Sequence, residues 1–262
     1  MSIYSLVATN EISIQNYLMR YGIISDIHGN LPALEVVLSN LKKEVDAFLC
    51  LGDIVGYGAQ PNECCEIIRE LKPIAVAGNH DWGAAEKIPF HHFNPYAEEA
   101  LIWTKNNLKS ENRDFLLSLP KTHTDSLFTL VHGSLRDPIE EYLLSTSQAR
   151  DTFSLLTTQI LFFGHTHIPT LFLQKEGQLT VSAIVLSDGA KIEIKEGFRY
   201  LINPGSAGQP RDNIPLASAA IFDTSKLEVG IRRYEYPIES TQRGIISAGL
   251  PLVLAERLSF GW

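Results

Sequence analysis

Three features are absent from this sequence, and each absence excludes a class of protein. No stretch approaches the ~18 consecutive apolar residues that a membrane-spanning helix requires. Basic residues are not in excess: the formal net charge is −8, whereas proteins that bind nucleic acid or acidic membranes through bulk electrostatics are usually basic. Only three cysteines occur, without regular spacing, which excludes a disulfide framework and predicts a reducing compartment, the cytoplasm.

The N-terminal segment also lacks the marks of a secretory signal. Residues 1–20 do not begin with a basic region, and their apolar stretch is short and interrupted. No candidate motif lies there, and the first strand-like run begins at Tyr21. We therefore expect residues 1–20 to be a poorly ordered extension. Residues 21–262 should form a single domain, because the motifs described next follow one another without a linker.

Five short segments of metal-binding side chains are present, and almost every one directly follows an apolar run. Such runs, rich in β-branched residues, predict buried strands. In α/β folds the residues that follow parallel strands gather at one end of the sheet, where ligands bind. The arrangement therefore predicts a metal centre. The segments are Asp26-Ile27-His28, Gly52-Asp53, Gly78-Asn79-His80-Asp81, Val131-His132-Gly133 and Gly164-His165-Thr166-His167.

Seven of these side chains are candidate metal ligands, which is more than one tetrahedral ion can use. Asp53 lies between hydrophobic residues, where a carboxylate is costly unless cations compensate its charge. Since a carboxylate has two oxygens, Asp53 could bridge two ions. We expect two divalent ions, Mn²⁺ before Fe, Ni or Zn, all of which suit histidine and carboxylate ligands. The candidates are Asp26, His28, Asp53, Asn79, His132, His165 and His167.

The charge of such a centre narrows its chemistry. Two divalent ions with the carboxylates of Asp26 and Asp53 keep a net charge of about +2, so the centre would attract an anion. A pair of ions that carries a bridging hydroxide suits in-line attack on phosphorus. His80 follows Asn79 and is not needed as a ligand. We therefore predict that His80 protonates the leaving oxygen and that Asp81 orients it.

The order of these segments resembles that of the calcineurin-like metallophosphoesterase superfamily: Asp-x-His, Gly-Asp, Gly-Asn-His-Asp, a lone His, then Gly-His-x-His. The resemblance covers residues 21 to about 223, and residues 21–30 and 203–206 resemble its compact bacterial and archaeal phosphodiesterase-like branch. It implies an α/β fold, a two-sheet α/β/β/α sandwich with helices outside. It also implies that one ion is held by Asp26, His28 and His167, the other by Asn79, His132 and His165, with Asp53 between them.

One segment departs from the pattern. Protein Ser/Thr phosphatases and dinucleoside tetraphosphatases of the superfamily extend the second motif to Gly-Asp-x-x-Asp-Arg-Gly, whose Arg binds phosphate and whose Asp supports the acid histidine. Residues 52–58 read Gly-Asp-Ile-Val-Gly-Tyr-Gly, so both are missing. Phosphate recognition would then rest on the metals or on another arginine such as Arg136 or Arg211, although surface arginines are more often solvated or salt-bridged. Phosphoprotein phosphatase activity becomes the less favoured interpretation.

Outside the motifs, the hydrophobic pattern alternates between helices and strands. Asn30 is suited to cap the first helix. Residues 83–119 hold no core strand, so we predict a helical insertion that could roof the site. After His167 the pattern becomes mostly β, and we expect these strands to form the second sheet. A helical tail could pack on the outside or against another subunit of a homo-oligomer. The helices are predicted at 31–43, 61–71, 95–108, 110–119, 238–248 and 252–258.

We therefore predict a di-metal phosphoesterase that hydrolyses a small phosphodiester or nucleotide-like ester. Two alternatives stay open: a phosphomonoesterase or protein Ser/Thr phosphatase-like enzyme, and a non-catalytic metal-binding regulatory protein. His80 opposes the latter, since a purely structural site needs no acid beside its ligands. A nuclease is a further alternative, but the acidic balance and the lack of a basic-aromatic stripe oppose a long nucleic acid as substrate. The expected partner is a small phosphate ester, with no membrane involved.

Overall fold

The computed structural model of the chain describes residues 18–90 and 93–262. The first strand begins at Arg20, one residue before its predicted start. Met19 is already fixed there, because its backbone amide donates to Thr224 Oγ1 at 2.9 Å. Residues 1–17 of the predicted extension lie outside the described residues, so its poor order stays a prediction.

The described residues form two sheets and a set of helices. The strands are β1 (Arg20–Ile24), β2 (Ala47–Cys50), β3 (Ile74–Ala75), β4 (Thr122–Thr124), β5 (Phe128–Val131), β6 (Ile160–Phe162), β7 (Thr170–Lys175), β8 (Val181–Val185), β9 (Lys191–Glu193), β10 (Phe198–Asn203), β11 (Ala217–Asp223) and β12 (Glu228–Tyr234). The helices are α1 (Leu31–Leu41), α2 (Pro61–Leu71), α3 (Asn79–Ala84), α4 (Pro95–Asn107), α5 (Ser110–Ser118), α6 (Thr146–Leu155), α7 (Ile238–Ser247), α8 (Leu252–Glu256) and a 3₁₀ helix, Arg257–Ser259.

Each sheet combines parallel and antiparallel strands. In the first sheet, β1, β2 and β3 are parallel neighbours joined through α1 and α2, which is the predicted βαβαβ order. The first sheet has the order β3-β2-β1-β11-β12-β9, and the second β4-β5-β6-β10-β7-β8. In the second sheet β5, β6 and β10 are parallel. Parallel strands of both sheets therefore end in loops that can build a common site.

The predicted division of strands between the sheets is wrong in part. We expected the strands after His167 to form the second sheet, but β9, β11 and β12 complete the first. The strands before His132 and His165, expected in one sheet with the others, belong to the second. The reason is that β11 is buried along its whole length, since helices cover one of its faces and the second sheet covers the other. The sequence of such a strand does not alternate between apolar and polar residues, so it does not indicate to which sheet the strand belongs.

The two sheets face each other across an aromatic core. Phe128 of the second sheet contacts Tyr21 and Phe222 of the first, with ring centroids 5.5 and 6.4 Å apart. Helices α1 and α2 pack on the outer face of the first sheet, and α6 packs on the outer face of the second. The predicted α/β/β/α sandwich is therefore confirmed.

The remaining helices lie near the loops that follow the parallel strands. The predicted helical insertion at 83–119 is present as α4 and α5, and Asn94 caps α4 by accepting the Ala97 amide at 3.1 Å. The short helix α3, which begins at Asn79, was not predicted. The tail packs on its own chain: Leu254 and Leu258 belong to one buried hydrophobic cluster with Tyr57 and with Ala97 and Ala100 of α4. No helix among residues 18–90 and 93–262 is both long and apolar enough to cross a bilayer.

Candidate metal centre

The structure brings the candidate ligands into one buried cluster. They follow strands of both sheets rather than of one: Asp53 follows β2, for example, and His132 follows β5. Asn79 is the first residue of α3. The donor atoms form two groups, each within 4.8 Å: Asp26, His28, Asp53 and His167, and then Asp53, His132 and His165.

In the first group, His28 and His167 face each other through ring nitrogens that carry no proton. His28 Nδ1 lies 3.1 Å from the Val55 carbonyl oxygen, and His167 Nδ1 lies 2.6 Å from that of Gln209. Because a carbonyl oxygen only accepts, both Nδ1 atoms are the protonated ones. The two Nε2 lone pairs then point at each other across 3.1 Å. This arrangement is repulsive, and a cation would relieve it.

The histidines of the second group are anchored in the same way. His132 Nδ1 donates to the Leu51 carbonyl at 2.8 Å, and His165 Nε2 donates to the Glu140 carbonyl at 3.1 Å. His165 Nδ1 therefore presents a lone pair to His132 Nε2 at 3.1 Å. Burial acts to lower the pKa of His132, but the charge of Asp53 outweighs it and raises that pKa to about 9. In the metal-free protein His132 Nε2 thus carries a proton, which a divalent ion would displace. The Asn79 side-chain oxygen lies 3.2 Å from His132 Nε2. Three potential metal-ligand atoms thus converge, and the two histidines among them are oriented by hydrogen bonds in the way that outer partners orient metal ligands.

Asp53 lies between the two groups. Its Oδ1 accepts the backbone amide of His80 at 2.8 Å. Its Oδ2 lies 3.6 Å from His28 Nε2 and 3.3 Å from His132 Nε2, and it is buried without a hydrogen-bond partner in the described part of the chain. Burial acts to raise the pKa of Asp53, but the neighbouring histidines outweigh it and hold that pKa well below its usual range. An ionised oxygen is therefore directed at both groups.

These residues fit a pair of divalent ions. Burial holds the pKa of His28, His165 and His167 well below the ordinary value, so their imidazoles are neutral and able to act as ligands. Burial also raises the pKa of Asp26 to about 7, so its charged form depends on nearby cations. Buried lone pairs and charges without partners are costly. The donor set therefore favours divalent metal binding, although the identity of the ion is not fixed by these groups.

Five of the candidate ligands have left-handed backbone conformations, which non-glycine residues rarely adopt. Each costs about 1–3 kcal/mol and persists only where the surroundings enforce it. Here the loops enforce it on each other: the Asp26 amide donates to the Gly52 carbonyl at 3.1 Å, and the His28 amide donates to the Asp53 carbonyl at 2.9 Å. The φ angles are 53° at Asp26, 52° at His28, 53° at Asp53, 66° at His165 and 61° at His167.

Two glycines of the motifs are required by close packing around the carboxylates. A Cβ on Gly78 would lie 2.1 Å from Asp53 Oδ1, and a Cβ on Gly164 would lie 2.1 Å from Ser25 Oγ. Ser25 Oγ in turn donates to Asp26 Oδ2 at 2.6 Å. A side chain at either glycine would therefore displace a candidate ligand.

The structure contradicts the prediction that Asp81 orients His80. Asp81 Oδ1 accepts the amides of Ile54 and Val55 at 2.8 and 3.2 Å, and its Oδ2 accepts the Gly78 amide at 3.0 Å. The carboxylate therefore ties the loop after β2 to the start of α3. Burial, reinforced by the charge of Asp53, raises the pKa of Asp81 to about 7.

His80 forms part of the wall of a cavity of about 200 Å³ beside the cluster. Its ring packs against Tyr57, His28 and Phe93, with centroids 4.5, 4.8 and 5.0 Å apart. Burial lowers the pKa of His80 to about 4, so the imidazole is neutral at pH 7. The cavity is lined by Tyr57, Asn79, His80, Phe93, Asn94, Glu140, Tyr142 and His165.

The two arginines proposed for phosphate recognition differ in their surroundings. Arg136 forms ion pairs with Glu141 and Asp151. Its charge is therefore already neutralised, and Arg136 is a salt-bridged surface arginine. Arg211 has its guanidinium carbon 5.8 Å from the ring centroid of Tyr57, a residue of the cavity wall. Of the two, Arg211 is the one beside the candidate centre.

The turn-rich segment 203–210 packs beside the centre. Asn203 Nδ2 donates to the Gly164 carbonyl at 2.7 Å, and Ser206 Oγ donates to the Asp26 carbonyl at 2.8 Å. The segment leaves the second sheet after β10 and leads to β11 in the first. It therefore fixes the loops of both sheets relative to each other.

The aromatic wall of the cavity was not predicted from the sequence. Tyr57 could have been found, because it stands where the superfamily's phosphatases carry the motif arginine. Tyr142 stacks on His165 with ring centroids 3.7 Å apart, and Phe93 contacts His80. Neither lies in a motif, so no local signal marks either residue.

Known proteins with similar sequences identify the family of this chain. Residues 19–227 match the family model for the calcineurin-like phosphoesterase superfamily domain. An uncharacterised protein of Methanocaldococcus jannaschii is 43% identical over 245 residues, which are 91% of this chain and 97% of that protein. The matched segments include all the candidate ligands.

Solved structures share the fold along nearly the whole chain. A metallophosphoesterase from Sphaerobacter thermophilus is 43% identical, with a TM-score of 0.84, and the match covers 94% of this chain and 100% of that one. A hypothetical protein of Pyrococcus horikoshii is 21% identical, with a TM-score of 0.75 over 93% of this chain and 98% of its own. The latter likeness concerns the fold alone.

Replacing Asp53 by Asn tests whether the Asp53 carboxylate is a ligand shared by the two groups. The amide keeps the shape and can still accept the His80 amide, but the negative charge shared by both groups is lost. In the wild type, Mn²⁺ at 100 times its Kd should stabilise the fold by about 2.7 kcal/mol, which corresponds to a rise in Tm of roughly 5–10 °C. Asp53→Asn should lose most of this rise and retain less metal after dialysis, as measured by thermal unfolding and elemental analysis.

A matched control is Asp114→Asn, which makes the same chemical change on the exposed side of α5. It should leave both the metal content and the rise in Tm unchanged. A normal metal content in folded Asp53→Asn would contradict a shared ligand at this position.

Proposed function

Since the chain belongs to the calcineurin-like phosphoesterase superfamily, we propose that it is a two-metal phosphodiesterase acting on a small or nucleotide-like phosphate ester. The observation that carries the proposal is the convergence of anchored ring nitrogens on one buried cluster. Each of the four candidate histidines donates from one nitrogen to a backbone carbonyl and directs the other at the cluster. Asp53 Oδ2, buried and unpartnered among the described residues, points to the same place. A purely structural cluster would have no reason to leave these acceptors unsatisfied.

Two groups of ligands are proposed. Asp26, His28 and His167 would hold one ion, Asn79, His132 and His165 the other, and Asp53 would contact both. When bound, the ions would supply a water of lowered pKa as nucleophile and positive charge for the phosphoryl oxygens. Mn²⁺ is the ion we expect first, with Fe, Ni and Zn as chemically suitable substitutes.

His80 is proposed as the donor to the leaving oxygen. It borders the cavity next to Asn79, and its ring is held by Tyr57 and Phe93. Because its imidazole is neutral at pH 7 in the metal-free protein, donation requires that the bound anionic substrate raise its pKa. This packing, and not Asp81, fixes the orientation of the imidazole in the proposed mechanism.

The cavity favours a small substrate. At about 200 Å³ it is smaller than a pocket for a drug-sized ligand, and Tyr57, Phe93 and Tyr142 narrow it. The chain also lacks the motif arginine of the protein phosphatases. A phosphodiester with one small substituent is therefore favoured over a phosphoprotein or a long nucleic acid. A phosphomonoesterase and a non-catalytic metal protein are the alternatives that experiment must separate.

Two further properties stay predictions. The three cysteines are buried and unpaired, which is compatible with the reducing cytoplasm that we expect. The homo-oligomer suggested by the sequence has no support from the packing of the tail, because the tail already contacts its own chain.

The first test of the function is a substrate panel. Mn²⁺-loaded protein should hydrolyse bis-p-nitrophenyl phosphate with a kcat/KM at least tenfold above that for p-nitrophenyl phosphate, and it should release little product from single-stranded DNA. A preference for the monoester would make the phosphomonoesterase alternative correct. Absence of turnover on every ester with Mn, Fe, Ni or Zn, despite bound metal, would favour the non-catalytic alternative.

The second test concerns His80. A general acid contributes ~10²–10⁴-fold, mostly where the leaving group must be protonated. His80→Ala should therefore lose this factor on an alkyl phosphodiester and far less on bis-p-nitrophenyl phosphate, whose phenolate leaves without a proton, while the metal content stays unchanged.

Asp81→Asn is the matched control, because its carboxylate contacts backbone amides instead of the imidazole. It should lower the free energy of unfolding by about 1–3 kcal/mol and leave the ratio of the two rates as in the wild type. Equal losses on both esters in His80→Ala would show that the imidazole binds phosphoryl oxygens instead.

A further inference from the structure

The segment that follows His132, loop 133–142, is folded compactly beside the second group of candidate ligands. The Gly133 amide donates to the Pro138 carbonyl at 2.9 Å. A Cβ on Gly133 would lie 2.9 Å from the Glu141 carbonyl oxygen. The two ends of the loop therefore pack against each other without room for a larger side chain.

Loop 133–142 makes two contacts with the candidate ligand His165. The Glu140 carbonyl accepts the hydrogen bond from His165 Nε2 at 3.1 Å. The ring of Tyr142 stacks on that of His165, with centroids 3.7 Å apart and 23° between the ring planes. These contacts turn Nδ1 of the imidazole towards the second group, as outer partners do for metal ligands. The loop thus extends from one histidine of the group, His132, to the other.

Glu141 lies between the two residues that contact His165, and its carboxylate holds the loop together. Its side chain is 15% exposed. Ser134 Oγ donates to its Oε2. Arg136 donates to both oxygens, through Nη2 to Oε1 and through Nε to Oε2 at 3.1 Å, and Gln148 Nε2 donates to Oε1 at 3.3 Å. Three side chains therefore converge on one carboxylate.

Two of these donors also tie the loop to helix α6. Arg136 Nη1 pairs with Asp151 of α6 at 2.9 Å. Gln148, another residue of α6, donates to the Tyr142 carbonyl at 2.8 Å. The loop is therefore held against a helix that packs on the second sheet.

The pair of Arg136 and Glu141 has the geometry of a strong contact. A guanidinium that donates to both oxygens of a carboxylate fixes the orientation of both groups. The hydrogen bond from Arg136 outweighs burial and holds the pKa of Glu141 below its ordinary value, so the carboxylate is ionised at pH 7. Neither residue belongs to the candidate ligands.

We propose that the ion pair of Arg136 and Glu141 positions His165 for the second metal ion. The pair holds loop 133–142 in the conformation in which its carbonyl and its aromatic ring fix the imidazole. The proposal rests on the two-metal site of the proposed function, but its first test needs neither metal nor substrate. Both are positioning residues, because they act through the loop and not on the ion itself.

The first test observes the anchoring hydrogen bond of His165 in the metal-free protein. Glu141→Gln keeps the size of the side chain and removes its charge. The exchange of the His165 Nε2 proton with water should become roughly tenfold faster, because the loop opens more easily without charge-assisted hydrogen bonds. NMR spectra of protein labelled with ¹⁵N-histidine measure this rate. The anchored ring protons of His28, His132 and His167 are internal controls, because their carbonyl partners lie outside the loop.

The second test measures metal affinity by calorimetric titration with Mn²⁺. The wild type should bind two ions. Glu141→Gln and Arg136→Gln should each weaken one of them by roughly 10- to 100-fold, the usual effect of losing an outer partner, and leave the other unchanged. Arg136→Lys, which keeps the charge but loses the planar fork, should lose less. Glu239→Gln is the matched control, because its side chain is 87% exposed on α7, and it should bind both ions as the wild type does.

Two further measurements separate positioning from a general loss of stability. The double variant of Arg136→Gln and Glu141→Gln should lose less affinity than the two single losses combined, because both remove the same ion pair. Thermal unfolding of every variant verifies that the chain is folded, and Arg136→Lys retains the test if the Gln variants do not fold.

Unchanged exchange of the His165 proton, with unchanged binding of both ions, would overturn the positioning role and leave the proposed function intact. Equal weakening of both ions would overturn it as well, because the ion pair would then support the whole fold. Fewer than two ions bound by the wild type would contradict the proposed function, and the exchange of the His165 proton in Glu141→Gln would still decide the role of the ion pair.

Discussion

The structure depends on one constraint: four imidazoles are anchored by one nitrogen so that the other cannot turn away from the cluster. Backbone carbonyls of Val55, Leu51, Glu140 and Gln209 accept the anchoring hydrogen bonds. The free nitrogens then face one another at about 3.1 Å. Without cations this arrangement is unfavourable, because the lone pairs of His28 and His167 repel each other and Asp53 Oδ2 has no hydrogen-bond partner in the described chain. The protein therefore stores unfavourable free energy at the centre that divalent ions can release.

The sandwich supplies the rigidity that this requires. Loops after β1, β2, β5 and β6 come from two sheets, and hydrogen bonds between the loops hold five of the ligands at left-handed φ angles. Segment 203–210 crosses from one sheet to the other and is bonded to the loops at Asp26 and Gly164. The core around Phe128 fixes the distance between the sheets. The unfavourable backbone conformations at the site are thus maintained by the packing and hydrogen bonds of the surrounding structure, as is common at functional sites.

Much of this could be predicted, because an apolar run followed by a polar group is a local pattern. This pattern identifies Asp26 and His132 as candidate ligands. The sandwich fold was predicted from the resemblance to the superfamily. The place of β11 could not be predicted, since a strand buried on both faces has no alternation. The role of Asp81 depends on backbone amides distant in sequence. Leu258 lies 91 residues beyond His167, outside every motif, and only folding brings it into one hydrophobic cluster with Tyr57.

The central claim is that the anchored nitrogens and Asp53 enclose two ions. Anomalous diffraction from crystals of the Mn²⁺-loaded protein, collected at the manganese absorption edge, tests it most directly. We expect two anomalous peaks, one next to Asp26, His28 and His167, the other next to Asn79, His132 and His165. Both should contact Asp53, and the anchored nitrogens should remain bonded to their carbonyls. A single peak, or ions bound through the nitrogens that now face the carbonyls, would contradict the account.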